Sequence, residues 1–148
     1  MSGIKNVLLV VNPISGALDK ANLIQQIELE VKKIDARLNI FLTTGLEDLL
    51  NLEKQIRELK PCRILIAGGD GTIKLTAEAL KENDTPVGII PAGSANGLAS
   101  NLGLTVSIEE QIHIALGNTF QKIDIIVINE EYCLHIADFG INAELIGK

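Results

Sequence analysis

Five consecutive residues, Gly68-Gly69-Asp70-Gly71-Thr72, combine backbone freedom with a single carboxylate. They follow the apolar run Ile64-Leu65-Ile66-Ala67, which reads as a short buried strand, and a helix is expected to begin near Thr72. Three glycines in so short a stretch cost conformational entropy, so a plain connector rarely uses them. Here they allow a sharp turn and let another molecule approach the backbone N–H groups. A helix N-terminus directly behind adds partial positive charge. The combination suits a phosphate, which makes Asp70 the puzzle: a negative charge placed where a negative ligand should sit. Three roles could account for it. The carboxylate can bond its own turn, hold Mg²⁺ whose charge neutralises phosphates, or take the proton from an attacking hydroxyl in phosphoryl transfer.

Other turns offer compatible groups. Asn12-Pro13-Ile14-Ser15-Gly16 supplies an amide and a hydroxyl, and Thr43-Thr44-Gly45 supplies two more hydroxyls. Pro91-Ala92-Gly93-Ser94-Ala95-Asn96-Gly97 is a second run of small residues carrying a hydroxyl and an amide. Each of these residues can equally serve as a turn or cap group. Neither the G-x-G-x-x-G dinucleotide pattern nor the phosphate loop ending in Gly-Lys-Ser/Thr is present.

The elements that must position these turns alternate along the chain. Val7-Leu8-Leu9-Val10-Val11 is a continuous apolar run, as expected of a strand buried on both faces. A helix is expected over 19–34, with Ile24, Ile27, Val31 and Ile34 on one face. A strand at 38–42 and a helix at 47–59 follow, the helix turning Leu49, Leu52, Ile56 and Leu59 inward until Pro61 ends the segment. After the strand at 63–67, a helix over 72–82 carries Ile73, Ala77 and Leu80 on one side. Next come a strand at 87–90 and a short helix at 98–101. Ser107 with Glu110 forms a capping box for a helix ending before Gly117. Two strands, 123–128 and 132–137, flank Asn129-Glu130-Glu131 as a hairpin. The expected fold is therefore α/β, a Rossmann-like, mostly parallel sheet with flanking helices, followed by the start of a β-rich second domain. All four polar or glycine-rich turns follow strands and should gather at the carboxyl edge of the sheet, where such folds bind ligands.

Bulk properties narrow the partners. The 148 residues are 47% hydrophobic, enough for a real core, but only 3% aromatic, which argues against stacking platforms for single-stranded nucleic acid. The net charge of −6 and the absence of a basic run argue against duplex nucleic acid and against strong docking to anionic lipid. Cys62 and Cys133 lack ligand or redox spacing and read as small buried hydrophobes in a reducing compartment. His113 and His135 have no Cys or His at metal-ligand spacing and are assigned structural roles. No signal-peptide pattern is seen, and no apolar run approaches the ~20 residues that span a bilayer.

Four segments together resemble the diacylglycerol kinase catalytic-domain family, which includes bacterial lipid kinases and sphingosine kinases and is distantly similar to NAD kinases. They are Asn12-Pro13-x-Ser15-Gly16, Gly68-Gly69-Asp70-Gly71-Thr72, Pro91-Ala92-Gly93-Ser94-Ala95-Asn96-x-Leu98-Ala99, and a tail from Ile123-Asp124 through Ala137-x-x-Gly140-x-x-Ala143-Glu144. The resemblance implies ATP, Mg²⁺ and transfer of the γ-phosphoryl group to a lipid hydroxyl of the diacylglycerol or sphingoid-base type. It places Asn12, Ser15, Gly16, Gly68, Gly69 and Gly71 at the nucleotide phosphates, and Thr43, or Thr44 one residue on, near the nucleoside. Thr72, Gly93, Ser94 and Asn96 complete the cleft. Asp70 becomes the catalytic acid–base or the metal-organising residue, and Glu144 falls beside the lipid headgroup. By the same resemblance, residues 1–122 form the nucleotide-binding kinase domain and 123–148 begin a β-rich lipid-binding region. A cytoplasmic location follows, with transient peripheral contact at a membrane surface.

The sequence also departs from the family pattern. Lys74-Leu75 stand where the family often has an Asn-Glu pair, and Gly97 stands where many bacterial members have Asp. Lys74 is expected to lie close enough to help neutralise phosphate. Family members usually continue into the β-rich domain, whereas this sequence ends a few residues into the corresponding part. A chain ending there is expected to turn over slowly or not at all, and to expose a strand edge at 123–138 that invites a homo-oligomer. Two alternatives stand beside the lipid kinase: an NAD kinase-like enzyme, disfavoured because no Asn-Glu-type nicotinamide site follows downstream, and a non-catalytic nucleotide-binding module.

Overall fold

A computed structural model describes residues 5–81, 83–93 and 96–134. Four parallel strands form one sheet in the order β2-β1-β3-β4: β1 Lys5–Val11, β2 Ala36–Leu42, β3 Arg63–Gly68 and β4 Val87–Pro91. Between them run α1 Lys20–Lys33, α2 Asp48–Leu59 and α3 Asp70–Leu80. The helices α4 Gly97–Asn101 and α5 Ile108–Leu116 follow β4. The described residues form the expected α/β fold, a parallel sheet with flanking helices.

The alternation of side chains along β1 explains why its whole run is apolar. Val7, Leu9 and Val11 pack with Leu23, Ile27 and Val31 of α1 and with Ile112 and Ala115 of α5. Leu8 and Val10 point to the other face and pack with Leu52 and Ile56 of α2 and Ile73 of α3. Gly88 lets α5 lie directly on β4, since a Cβ there would fall 2.5 Å from the Ala115 carbonyl oxygen. Arg63 fastens the end of α5, donating from Nη1 to the Ala115 carbonyl at 2.7 Å with its guanidinium 5.0 Å from the Phe120 ring centroid.

Several expectations are corrected in detail. On α1 the inward face is Lys20, Leu23, Ile27 and Val31, with Ile24 partly buried, while Ile34 lies exposed at the C-cap. On α3 it is Thr72, Ile73, Thr76 and Ala79; Ala77 and Leu80 are only half-buried. α3 starts at Asp70, two residues earlier than expected, because Gly69 takes the extended N-cap conformation. Cys62 is exposed rather than buried, since it precedes β3 at the amino edge of the sheet; Cys133 is half-buried. Among the described residues the hairpin's first strand starts later and its turn is tighter than expected: β5 Ile126–Ile128 pairs antiparallel with β6 Glu131–Cys133. Asn129 and Glu130 both have positive φ, which fits a two-residue turn matched to strand twist. His113 sits exposed in the last turn of α5. His135, Ser94, Glu144 and the expected strand beyond 134 lie outside the described residues. Among the described residues, no helix is long and apolar enough to cross a membrane.

Candidate functional site

Strand register brings the four turns to one edge. Val11 pairs with Leu42 on one side and Ala67 on the other, and Gly68 pairs with Pro91. β1 lies between β2 and β3, so the connections diverge at the carboxyl ends of β1 and β3, the point where open α/β sheets form a crevice.

The three glycines of the central turn serve different ends. A Cβ at Gly68 would lie 2.5 Å from Thr72 Oγ1, so glycine is needed there for Thr72 to pack back on the strand. Thr72 is accordingly 5% exposed and sits behind the turn. Gly69 touches the neighbouring turn: a Cβ on Gly93 would lie 2.4 Å from Gly69 Cα. Gly71 is exposed, and a Cβ there would meet nothing within 4 Å. Packing therefore does not demand glycine at 71, but close approach of a ligand to the backbone would. The first helical bond of α3 runs from Ile73 N to Gly69 O at 3.1 Å. The helix itself leaves the N–H groups of Asp70, Gly71 and Thr72 without intrahelical partners.

The same geometry answers the puzzle of the acid. Asp70 Oδ2 accepts from Gly97 N at 3.0 Å and Oδ1 from Leu98 N at 3.1 Å. The carboxylate thus reaches across to the start of α4 instead of bonding its own turn. Each oxygen retains a second acceptor site, which leaves capacity for a cation or a hydroxyl proton. Among the described residues no group of three or more His, Cys, Asp or Glu could hold a metal. A single carboxylate nevertheless fits Mg²⁺ that arrives with nucleotide phosphates, since that ion commonly takes one or two carboxylates and keeps its remaining positions for phosphate and water.

The flanking turns divide into occupied and free groups. Asn12 Oδ1 accepts from Ile14 N at 3.2 Å in a local turn, and Asn12 N donates to Ala67 O at 3.2 Å. Among the described residues its Nδ2 finds no acceptor. Ser15 Oγ lies 3.3 Å from Asn12 O and 3.1 Å from Ala92 O. Gly16 has φ +62°, and a Cβ there would lie 2.7 Å from Ala92 O. Asn96 is spent within its own turn, accepting from Gly93 N at 3.1 Å and donating to Gly93 O at 3.0 Å.

The two threonines separate. Thr44 Oγ1 is engaged with Asp48 Oδ1 at 3.1 Å and Leu46 O at 3.2 Å, whereas Thr43 is half-buried beside the end of β1, with its N–H on Val11 O at 2.9 Å. Lys74, expected to lie close enough to help neutralise phosphate, has two carboxylate partners. Its ammonium pairs with Glu78 at 3.7 Å and Glu131 at 3.4 Å, tying α3 to the hairpin.

Two residues at this edge escaped the sequence reading. Lys20 is only 9% exposed and donates to the Ser15 carbonyl and, at 3.0 Å, to Ala92 O; burial pushes its ammonium below the usual lysine range. A lysine directly after the Asp19 N-cap, where acidic residues are favoured, was the available signal. Asp48 orders the turn after β2. Desolvation pushes its carboxyl up, but hydrogen bonds from Thr44 N, Gly45 N and the Thr44 hydroxyl outweigh this and hold it below the ordinary value.

A separate depression of about 480 Å³ lies at the opposite edge, lined by Glu53, Arg57, Lys60 and Lys81 among others. Its cations sit at the carboxyl ends of α2 and α3, where they complement the helix dipoles.

Residues 6–128 match the family model of the diacylglycerol kinase catalytic domain. The chain belongs to that family. Similar proteins include YegS of Escherichia fergusonii, named a probable lipid kinase, which is 28% identical over 114 residues covering 74% of this chain and 38% of the relative. An uncharacterised Synechocystis protein is 28% identical over 152 residues, 95% of this chain and 35% of the relative. A crystal structure of a diacylglycerol kinase from Bacillus anthracis superposes with a TM-score of 0.70 at 26% identity, covering 89% of this chain and 49% of that one. The chain thus spans between a third and a half of the length of those proteins.

Proposed function

We propose that this domain is the nucleotide-binding part of an ATP-dependent lipid kinase, with residues 1–122 holding nucleotide and 123–148 beginning a lipid-binding region. The observation that carries this reading is the first turn of α3. Its first N–H groups have no intrahelical partners, a Cβ at Gly71 would meet nothing within 4 Å, and a carboxylate is fixed alongside. Such a turn binds phosphate by backbone N–H groups and dipole together. When bound, MgATP supplies the γ-phosphoryl group and the cation that offsets its charge.

The protein's own groups would do the rest. The N–H groups of 70–72 and the Asn12 amide would hold phosphates, and Thr43, whose hydroxyl is not committed to its loop, would stand near the nucleoside. Asp70, anchored on Gly97 and Leu98, would hold Mg²⁺ or receive the proton of the acceptor hydroxyl. Ser94 and Glu144 remain assigned by family resemblance to the cleft and to the lipid headgroup. Contact with a membrane would be transient, at a cytoplasmic surface, and the strand edge at 123–138 is the proposed site of any self-association.

The test is phosphoryl transfer from labelled ATP to a panel of diacylglycerol, sphingoid base and NAD. Transfer to a lipid is expected, and Asp70→Asn should lower it by about 100-fold or more if the carboxylate acts as base. Formation of NADP would instead establish the NAD kinase reading. Nucleotide binding with no transfer to any acceptor would leave a binding module.

A further inference from the structure

We propose that Lys20 is a positioning residue that locks the β1–α1 turn onto the β4–α4 turn and so sets the spacing of the cleft. The benefit to nucleotide rests on the kinase reading above; the lock itself does not.

The electrostatics of Lys20 are unfavourable on three counts. It is an almost fully buried cation. It occupies the first position of α1, the positive end of that helix's dipole. Among the described residues its ammonium is met by two carbonyls and by no carboxylate. A methionine or leucine would fill the same space without any of these costs. What an apolar residue could not do is join Ser15 O to Ala92 O.

Those two carbonyls belong to turns that leave different strands, with the end of β3 between them. Ala92 O is also approached by Ser15 Oγ at 3.1 Å and closely by Gly16, while Ala92 N donates to Gly68 O at 3.1 Å. Ala92 is therefore the point on which the turns after β1 and β3 converge. Lys20 is the charged donor at that point, and hydrogen bonds from ionised donors are the stronger kind. Through Ala92, the position of Asn12 and Ser15 is referred to the same backbone that Asp70 holds at Gly97 and Leu98.

The test compares the wild type with Lys20→Met, Lys20→Arg and Ser15→Ala. Hydrogen exchange without nucleotide is the first measurement. Lys20→Met should speed exchange in 12–19 and at 92, 93, 96 and 97 together, leave β1 and β3 unchanged, and be reversed in large part by Lys20→Arg. Ser15→Ala should cause the same joint loosening to a smaller extent. Acceleration confined to 12–20, or no acceleration, overturns the lock. Should Lys20→Met fail to fold, reductive methylation of the wild type decides: Lys20 should label last among the lysines, and rapid labelling overturns the proposal.

The second measurement is the MgATP dissociation constant. A rise of about 10- to 100-fold in Lys20→Met, recovered in Lys20→Arg, is expected from losing a charged hydrogen bond that orders the site. Equal affinity in wild type and Lys20→Met, despite joint loosening, removes any role in cleft spacing. A wild type that binds no MgATP defeats the kinase reading alone, because the exchange result still judges the lock.

Discussion

The turns after β1 and β2 leave neighbouring strands at the same register, yet they are built in opposite ways. The first is tied to distant backbone: Ser15 and Lys20 reach Ala92, 77 and 72 residues away in sequence. The second starts from the Thr43 N–H on Val11 O, and beyond that its side-chain ties among the described residues are local, through Asp48, Thr44 and Leu46, leaving Leu46 77% exposed. A long-range tie fixes where a turn sits relative to the rest of the cleft. A local tie fixes only its shape, leaving it free to shift as a unit. The wall expected at the phosphates is thus the rigid one, and the wall expected near the nucleoside is the adjustable one.

Substitution of the left-handed glycine in each of these turns would break this contrast most directly. Gly16→Ala should be the most damaging, at about 3 kcal/mol in urea denaturation. It adds overpacking against Ala92 O, about 1–3 kcal/mol, to a left-handed backbone costing about 1–2 kcal/mol. Gly45→Ala has the same kind of backbone at φ +84° but meets nothing within 4 Å, so only the backbone cost of about 1–2 kcal/mol applies. Equal losses would mean the first turn is not held against β4.

Asp48→Ala should cost about 1 kcal/mol by removing exposed hydrogen bonds. Its hydrogen-exchange effect should stay within 43–48, and spread to 12–19 would show the two turns are coupled after all. Acidification should have the smallest effect. Because the folded Asp48 carboxyl lies below its ordinary 3.8, its contribution is present above that value and fades as pH falls through the lower folded one. Solvent screening keeps the contribution small. Amide chemical shifts of Thr44 and Gly45 should follow this titration while Ser15 stays still.

Much of the fold was legible because it depends on short-range pattern. The runs at Val7–Val11 and Ile64–Ala67, and the turns that follow them, announce a parallel sheet and its functional edge without tertiary information. What stayed hidden depends on distance. Nothing local to Asp70 reveals that its partners are Gly97 and Leu98, and nothing near Lys20 reveals that Ala92 will lie over it. Periodicity misplaced Ile34 inward because α1 ends before one more turn can carry it to the sheet. That the Thr44 hydroxyl is committed to Asp48 was likewise out of reach of the sequence.

The contact between Gly93 and Gly69 has a consequence for anyone wishing to retune the domain. Backbone meets backbone there, with no room for a side chain at 93. That part of the carboxyl edge offers no side chain to exchange, so directed evolution would gain little by randomising it. The turn after β2, with Leu46 77% exposed, leaves far more room for change.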